Sequence, residues 1–410
     1  MKIFKPNCEA VANVLQQVLN EEKHLGKTLD SVVSNNKKLG ARDRHFIAEN
    51  VFGIIRFLRY YKSVSEVLID PVEILEDSEG KYNVNKLLAA RLLQQNIELP
   101  EWFSITENEK TEIVESLKKR QKSAVLQAYT DWFFEQGEKA YGEKWEAIAT
   151  ALNEGAKVCI RANGLKTSRE KLLEELRSEN LEILLSDDTK NGLVFEQHKK
   201  LTNHQTYQNG WFEFQDISSQ QVVEFCEAEP GDIVIDTCAG AGGKSLHFAA
   251  EMQNRWQIFS LDIQGHKLRE LEKRALKAGA KIIETFSVGV VLNTDKISLT
   301  EAADIVLIDA PCSGSGVIKR NPENKWNLEE NRVAEITNTQ REILKNYSVF
   351  VKRGGYLIYA TCSILPQENQ EQVQQFLAEN NDFVFVKEQL LIPSVNTDFD
   401  GFYMAKMKRV

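Results

Sequence analysis

The stretch Asp304-Ile-Val-Leu-Ile-Asp309 is apolar at every interior position, with no polar alternation. A strand tolerates that pattern when both of its faces are covered, as in parallel sheets packed between helices. Three other runs share the character: IVID at 233–236, IFSLD at 258–262 and GYLIYATCS at 355–363. Between them lie helix-periodic segments such as HKLRELEKRALKAG at 266–279, whose leucines and alanines keep helical spacing. FVFV at 383–386 and the segment 401–410 complete the set. Strands alternating with helices predict an α/β fold, a Rossmann-like doubly wound sheet over residues 216–410.

Upstream the pattern changes. Residues 1–150 place apolar side chains at helical spacing (Val11, Val14, Leu15, Val18, Leu19, then Phe46, Ile47, Phe52, Ile55, Leu58) and predict an all-helical domain. Residues 151–215 predict a small α+β unit. KVCIRAN alternates like a strand, Thr167 or Ser168 is placed to cap the next helix, and LEILLS and GLVFEQ read as short strands. A chain of 410 residues, 42% hydrophobic, has room for two or three such domains. Eight prolines and 22 glycines leave no long disordered linker.

No run approaches 18 uninterrupted apolar residues, so no membrane span is expected, and the N-terminal segment lacks the apolar core of a signal peptide. The six cysteines form no CxxC pair. Neither a disulfide framework nor a metal site is indicated, and a reducing, cytoplasmic compartment is expected. The formal net charge of −9 counts against a nucleic-acid partner. The charge is uneven, however. Residues 1–62 hold 11 Lys/Arg against 6 Asp/Glu, and Lys157, Arg161, Lys166 and Arg169 stand in a segment without acids. Most such groupings are solvated faces; they permit RNA contact without demonstrating it. Oligomeric state leaves no mark in the sequence.

The segment Asp236-Thr-Cys238-Ala239-Gly240-Ala241-Gly242-Gly243-Lys244 falls between a strand and a helix. Its glycines lack Cβ, so the backbone can turn tightly and approach a ligand, and the helix that follows offers free N–H groups. Asp262 ends the next strand and Asp309 a third, so all of them are expected along one C-terminal sheet edge, where ligands bind. An acid at 262 can accept hydrogen bonds from ribose hydroxyls. The dinucleotide pattern GxGxxG and the phosphate loop GxxxxGK[ST] are both unmatched. A pyrophosphate would also meet two carboxylates. An adenosyl cofactor with a sulfonium and an amino-acid tail suits this acidic edge better.

Cys312 in Asp309-Ala-Pro-Cys-Ser-Gly-Ser-Gly316 and Cys362 in Ala360-Thr-Cys-Ser363 each follow a buried strand. A single free cysteine is most often an inert core residue. Two at the mouths of strands beside a cofactor loop are expected to open onto the same edge.

At these residues the chain resembles the Sun/Fmu (RsmB-type) family of S-adenosylmethionine-dependent RNA cytosine-C5 methyltransferases. The segments DTCAGAGGK at 236–244, DAPCSGSG at 309–316 with Arg320, Pro322, Lys325 and Trp326 after it, and TCSILPQEN at 361–369 are similar to its motifs and stand in its order. The likeness spans about residues 155–410. Asp43-Arg44 through Gly53-Ile54-Ile55-Arg56 is similar to the NusB-like helical domain of some members. The resemblance implies a class I methyltransferase domain that binds S-adenosyl-L-methionine through Cys238 to Lys244, Asp262 and Asp309. It implies an RNA substrate, ribosomal RNA in preference to transfer RNA, and a small α+β unit that helps hold it. Cys362 would be the nucleophile, Cys312 would assist product release, and Asp309 would hold the target cytosine.

The chemistry gives those residue types a purpose. Cytosine C5 is a poor nucleophile, and a thiolate added at C6 turns the ring into an enamine whose C5 can attack an electrophilic methyl. A carboxyl group near N3 stabilises the protonated ring, and the C5 proton must then leave. Two departures from the family pattern stand out. Ala239-Gly240-Ala241 replaces a proline-containing loop, and IETFSVGVVLN at 283–293 lacks the aspartate many members carry between the counterparts of Asp262 and Asp309. Two rival readings remain at this stage. One is DNA cytosine methylation with Cys312 as nucleophile, whose Glu-Asn-Val motif occurs here only far upstream at Glu49-Asn50-Val51. The other is a non-catalytic RNA-binding or ribosome-assembly factor of the same fold.

Overall fold

The computed structural model describes residues 3–65, 82–119, 121–196, 201–288 and 299–410. The chain forms two compact units, residues 1–135 with 321–328, and residues 136–320 with 329–410.

The first unit is helical. Helices Lys5–Leu15, Ala41–Arg56 and Val84–Gln94 turn Val11, Val14, Leu15, Ile47, Val51, Ile54, Ile55, Leu87 and Leu92 into one core, each of them fully buried. Segment 321–328 contributes to this unit a short 3-10 turn, Pro322–Asn327, which buries Lys325. The Lys325 ammonium donates to the carbonyls of Arg56 at 2.7 Å and Gln127 at 2.9 Å and lies 4.3 Å from the Tyr129 ring centre.

The second unit carries two sheets. The smaller one holds β1 (Val158–Ala162), β2 (Ile183–Leu185), β3 (Gly192–Phe195) and β4 (Phe212–Phe214) in the order β2-β3-β1-β4, all antiparallel. Helix Arg169–Ser178 covers it with Leu172, Leu173 and Leu176, and Ser168 caps that helix by accepting from the Lys171 N–H. The larger sheet comprises β5 (Ile233–Asp236), β6 (Gln257–Asp262), β7 (Ile283–Ser287), β8 (Ala303–Asp309), β9 (Val351–Thr361), β10 (Phe383–Leu391) and β11 (Phe402–Arg409), ordered β10-β11-β9-β8-β5-β6-β7. β5 to β9 are parallel; β11 runs antiparallel to β9 and β10.

Both faces of the parallel core are covered, as the unbroken apolar runs require. Val306, Ile308, Leu357 and Tyr359 face one core with Leu344 and Tyr347 of helix Glu330–Ser348 and Val373 and Phe376 of helix Gln370–Glu379. Ile305, Leu307, Ile358 and Ala360 face the other, with Val222 and Val223 of helix Ile217–Cys226 and Phe248 of helix Gly243–Glu251. β4, β7 and helices Ile217–Cys226 and Glu330–Ser348 have no counterpart in the periodicity reading; the strands are short and the helices mix polar residues into their buried faces.

Candidate active site

The order of the large sheet reverses between β5 and β8, and ligands of open α/β sheets bind at the carboxyl ends of strands at such a point. A cavity of about 390 Å³ opens there, a size that suits a small-molecule cofactor. Thr237, Cys238 and Gly240 line it from the turn after β5, Asp262, Ile263 and Gln264 from the end of β6, and Asp309 and Pro311 from the end of β8. Its remaining wall includes Thr339, Glu342, Ile343, Asn346 and Tyr347 of helix Glu330–Ser348. That wall went unread in the sequence. Its signal was present as the spacing 339, 342/343, 346/347, one helical face.

Of the loop residues expected at the cofactor, Cys238 and Gly240 line the cavity, whereas Ala239, Ala241, Gly242, Gly243 and Lys244 do not. Ala239 packs with Leu246, Leu268 and Leu271. Gly242 has φ of +85°, and a Cβ there would fall 2.0 Å from Leu271 Cδ1. Its missing side chain therefore admits a neighbouring helix rather than a ligand. Asp262 closes the loop: its Oδ2 accepts from Gly240 N–H at 2.8 Å and its Oδ1 from Gln264 N–H at 2.7 Å. Each oxygen retains a second acceptor site. In the region read for the absent aspartate, β7 is formed by Ile283–Ser287, and residues 289–298 lie outside the described residues.

The two sulfurs meet because β8 and β9 are parallel neighbours with Asp309 level with Ala360. Cys312, three residues past Asp309, and Cys362, two past Ala360, bring their Sγ atoms to 3.2 Å. Gly316 N–H donates to the Cys362 carbonyl at 3.0 Å and pins the two loops together. Glycine is required at 316, since a Cβ would fall 2.2 Å from the Gly401 carbonyl oxygen. Lys244, from the first turn of helix Gly243–Glu251, donates to Asp309 Oδ2 at 2.5 Å. Burial pulls the Lys244 pKa down, but the charge and hydrogen bond of Asp309, with Asp236 and Cys362 nearby, hold it above the usual lysine range. The hydrogen bond to Cys362 and burial push the Cys312 thiol well above its ordinary value. Burial pushes Cys238 up to about 12, which makes it a poor source of thiolate.

The basic run at 157–169 is engaged internally. Arg161 is 1% exposed and donates to Gln215 Oε1 at 2.6 Å. Lys157 pairs with Glu196 and Asp398, Lys166 donates to the carbonyls of Asn209 and Lys277, and Arg169 to those of Ser186 and Thr189. Each of these cations thus has a protein partner, with Arg161 buried and Lys166 exposed. Arg320 likewise bridges Asp216 and Asp400, each at 2.5 Å. Among the described residues no cluster of three metal-ligating side chains occurs, and no helix is long and apolar enough to cross a membrane.

Comparison with known proteins agrees with this architecture. The family model "16S rRNA methyltransferase RsmB/F" matches residues 223–408, and the RsmF/B-like ferredoxin-like domain model matches residues 129–202. The ribosomal RNA small subunit methyltransferase B of Vibrio vulnificus is 27% identical over 97% of both chains. The probable ribosomal RNA small subunit methyltransferase B of Bacillus subtilis is 32% identical over 62% of this chain and 57% of its own. The crystal structure of PH0851 shares the fold, with a TM-score of 0.82 at 21% identity over 100% of both chains. The methyltransferase model over residues 223–408 and the ferredoxin-like model over residues 129–202, which together cover more than half of the chain, place it in the RsmB/F (Sun/Fmu) family of methyltransferases.

Proposed function

We propose that the chain transfers a methyl group from S-adenosyl-L-methionine to C5 of a cytosine in small-subunit ribosomal RNA, through a covalent bond between Cys362 and C6. The observation that carries this reading is the 3.2 Å sulfur pair near the ion pair of Lys244 with Asp309, the latter a residue that lines the cavity. The cavity suits the cofactor in size, and Asp262 has acceptor capacity for ribose hydroxyls. Cys238, Gly240, Asp262 and Asp309 would hold it, with Ala239, Ala241, Gly242, Gly243 and Lys244 shaping the loop behind them. S-adenosylmethionine, when bound, supplies an electrophilic methyl.

The protein's own groups do the rest. Cys362 as thiolate adds to C6, and C5 becomes the nucleophilic carbon of an enamine. Once N3 of the activated ring has taken a proton from solvent, Asp309, oriented by Lys244, accepts the hydrogen bond from that N–H and keeps the proton in place. The main force raising the Cys312 pKa is its hydrogen bond with Cys362. Once Cys362 is tied up in a C–S bond that force is gone. Burial and Glu368 still hold the thiol up, so Cys312 first passes its proton to solvent and then, as thiolate, takes the C5 proton, and the C6–S bond breaks with Cys362 leaving as thiolate. The base must be unstacked to be reached, which favours single-stranded or loop RNA.

Labelled methyl transfer should occur to small-subunit rRNA, with bisulfite sequencing of RNA from cells lacking the protein losing a protected cytosine. Transfer to transfer RNA alone would redirect the substrate. No transfer to any RNA would leave a non-catalytic RNA-binding factor. Cys362→Ser should abolish both transfer and adduct, and Cys312→Ser should let an RNA adduct accumulate on denaturing gels. The reverse pattern would exchange the two roles.

A further inference from the structure

Glu368 is fully buried, in the TCSILPQEN segment that follows β9. Its Oε1 accepts from the Ser313 N–H at 2.7 Å and from Gln340 Nε2 at 3.1 Å. Its Oε2 accepts from the hydroxyls of Ser313 and Ser363, each at 2.5 Å. Ser313 follows Cys312, and Ser363 follows Cys362. One carboxylate thus grips the residue after each sulfur. The grip extends further: Gln340 Nε2 also donates to the Pro311 carbonyl at 3.0 Å, and Ser315 and Ser363 hydroxyls meet at 2.9 Å. Burying a carboxylate is costly, and four donors offset that cost only in this arrangement of the two loops. In the reaction sequence above Glu368 makes no bond and moves no proton.

We propose that Glu368 is the positioning residue that decides which of the two sulfurs attacks, by clamping both thiol loops and by setting a negative charge beside Cys312. The assignment rests on the methyltransfer chemistry proposed for Cys362. The surroundings of the pair are asymmetric. Charged and titratable groups acting on it include Lys244, itself paired with Asp309, and Glu368 and Tyr359. The Lys244 ammonium interacts with Cys362, whereas the Glu368 carboxylate raises Cys312, and Tyr359 faces Cys312 from β9. Glu368 holds the Cys312 loop through both the N–H and the hydroxyl of Ser313 but the Cys362 loop through the Ser363 hydroxyl, so its charge stands against Cys312 and disfavours a thiolate there. Glu368 touches neither sulfur by a hydrogen bond of its own, so its effect passes through the loops and the local field.

Site-resolved alkylation tests this on the full chain with iodoacetamide, read by mass spectrometry across pH, without RNA or cofactor. In the wild type Cys362 should react at lower pH than Cys312. Glu368→Gln, which keeps the shape and removes the charge, should raise Cys312 alkylation at pH 7.5 about tenfold, one pH unit of thiol acidity. Glu368→Asp should keep the order of the two thiols while lowering methyl transfer. Unchanged Cys312 reactivity in Glu368→Gln, or Cys312 reacting first in the wild type, overturns the role. If Glu368→Gln fails to fold by circular dichroism, Ser313→Ala replaces it. It keeps the Glu368 charge with one donor fewer to offset it, so it should lower Cys312 reactivity and spare Cys362, and equal changes at both sulfurs overturn the role. Intact thiol order in a protein that methylates no cytosine would sink the proposed activity and not this assignment.

Discussion

Asp236, at the end of β5, is 1% exposed; its Oδ2 accepts from the Ser245 hydroxyl at 2.6 Å and its Oδ1 has no hydrogen-bond partner. Burial pushes its pKa up to about 6, with the Ser245 bond offsetting only part. A carboxyl whose folded pKa exceeds its unfolded value binds its proton more tightly when folded. Its contribution to stability is therefore complete below about pH 4 and is lost as pH rises through 6, a cost of about 3 kcal/mol at neutral pH. Asp236→Asn should be more stable than the wild type by up to that amount in urea titrations at pH 7.5, and by little at pH 4. An equal gain at both values would sink the burial explanation. Asp309 stands differently, because Lys244 neutralises it. Asp309→Asn should lower single-turnover methyl transfer by about 10²-fold or more, the scale of a lost charge-stabilising group.

At the scale of elements, the turn between β5 and helix Gly243–Glu251 separates two uses of glycine. Gly240 has φ of +55° with open space where a Cβ would stand, and it lines the cavity. Gly242 has φ of +85° and lies against Leu271 of helix Gly265–Ala278. Alanine at 240 bears the left-handed backbone cost alone, about 1–2 kcal/mol. Alanine at 242 adds overpacking, which costs about 1–3 kcal/mol more. Thermal unfolding should fall further for Gly242→Ala than for Gly240→Ala, and equal shifts would mean that the helix contact carries no weight. The glycine-rich spacing was legible in the chain; which glycine faces the cavity and which faces the helix was not, because both readings ask for the same missing Cβ.

At the scale of the molecule, the chain does not divide where composition changes. Residues 321–328 lie between β8 and helix Glu330–Ser348, yet they belong to the helical unit. Lys325 is their anchor, with burial and then Arg56 pulling its ammonium well below the usual lysine range, while two carbonyls and the rings of Tyr129 and Phe57 surround it. Lys325→Ala removes the donor and leaves a void. It should destabilise the helical unit by about 2–5 kcal/mol, the scale of large-to-alanine core changes. Hydrogen exchange should rise in helix Ala41–Arg56 and stay unchanged in β8 and β9. Equal loosening in both places would contradict an effect confined to that unit.

The amino-acid order alone determined that β5, β6, β8 and β9 are strands covered on both faces, that their carboxyl ends carry Asp236, Asp262, Asp309 and the two cysteines, and that the N-terminal part is helical. Those traits are local: an apolar run or a helical period reports burial wherever the segment ends up. Partners are another matter. That Cys312 and Cys362 meet, that Glu368 holds both loops, that helix Glu330–Ser348 walls the cavity, and that Arg161 is buried against Gln215 all followed from strand order and register. A buried polar group must find its hydrogen-bond partner, and segments far apart in the chain supply it only after the sheet has assembled.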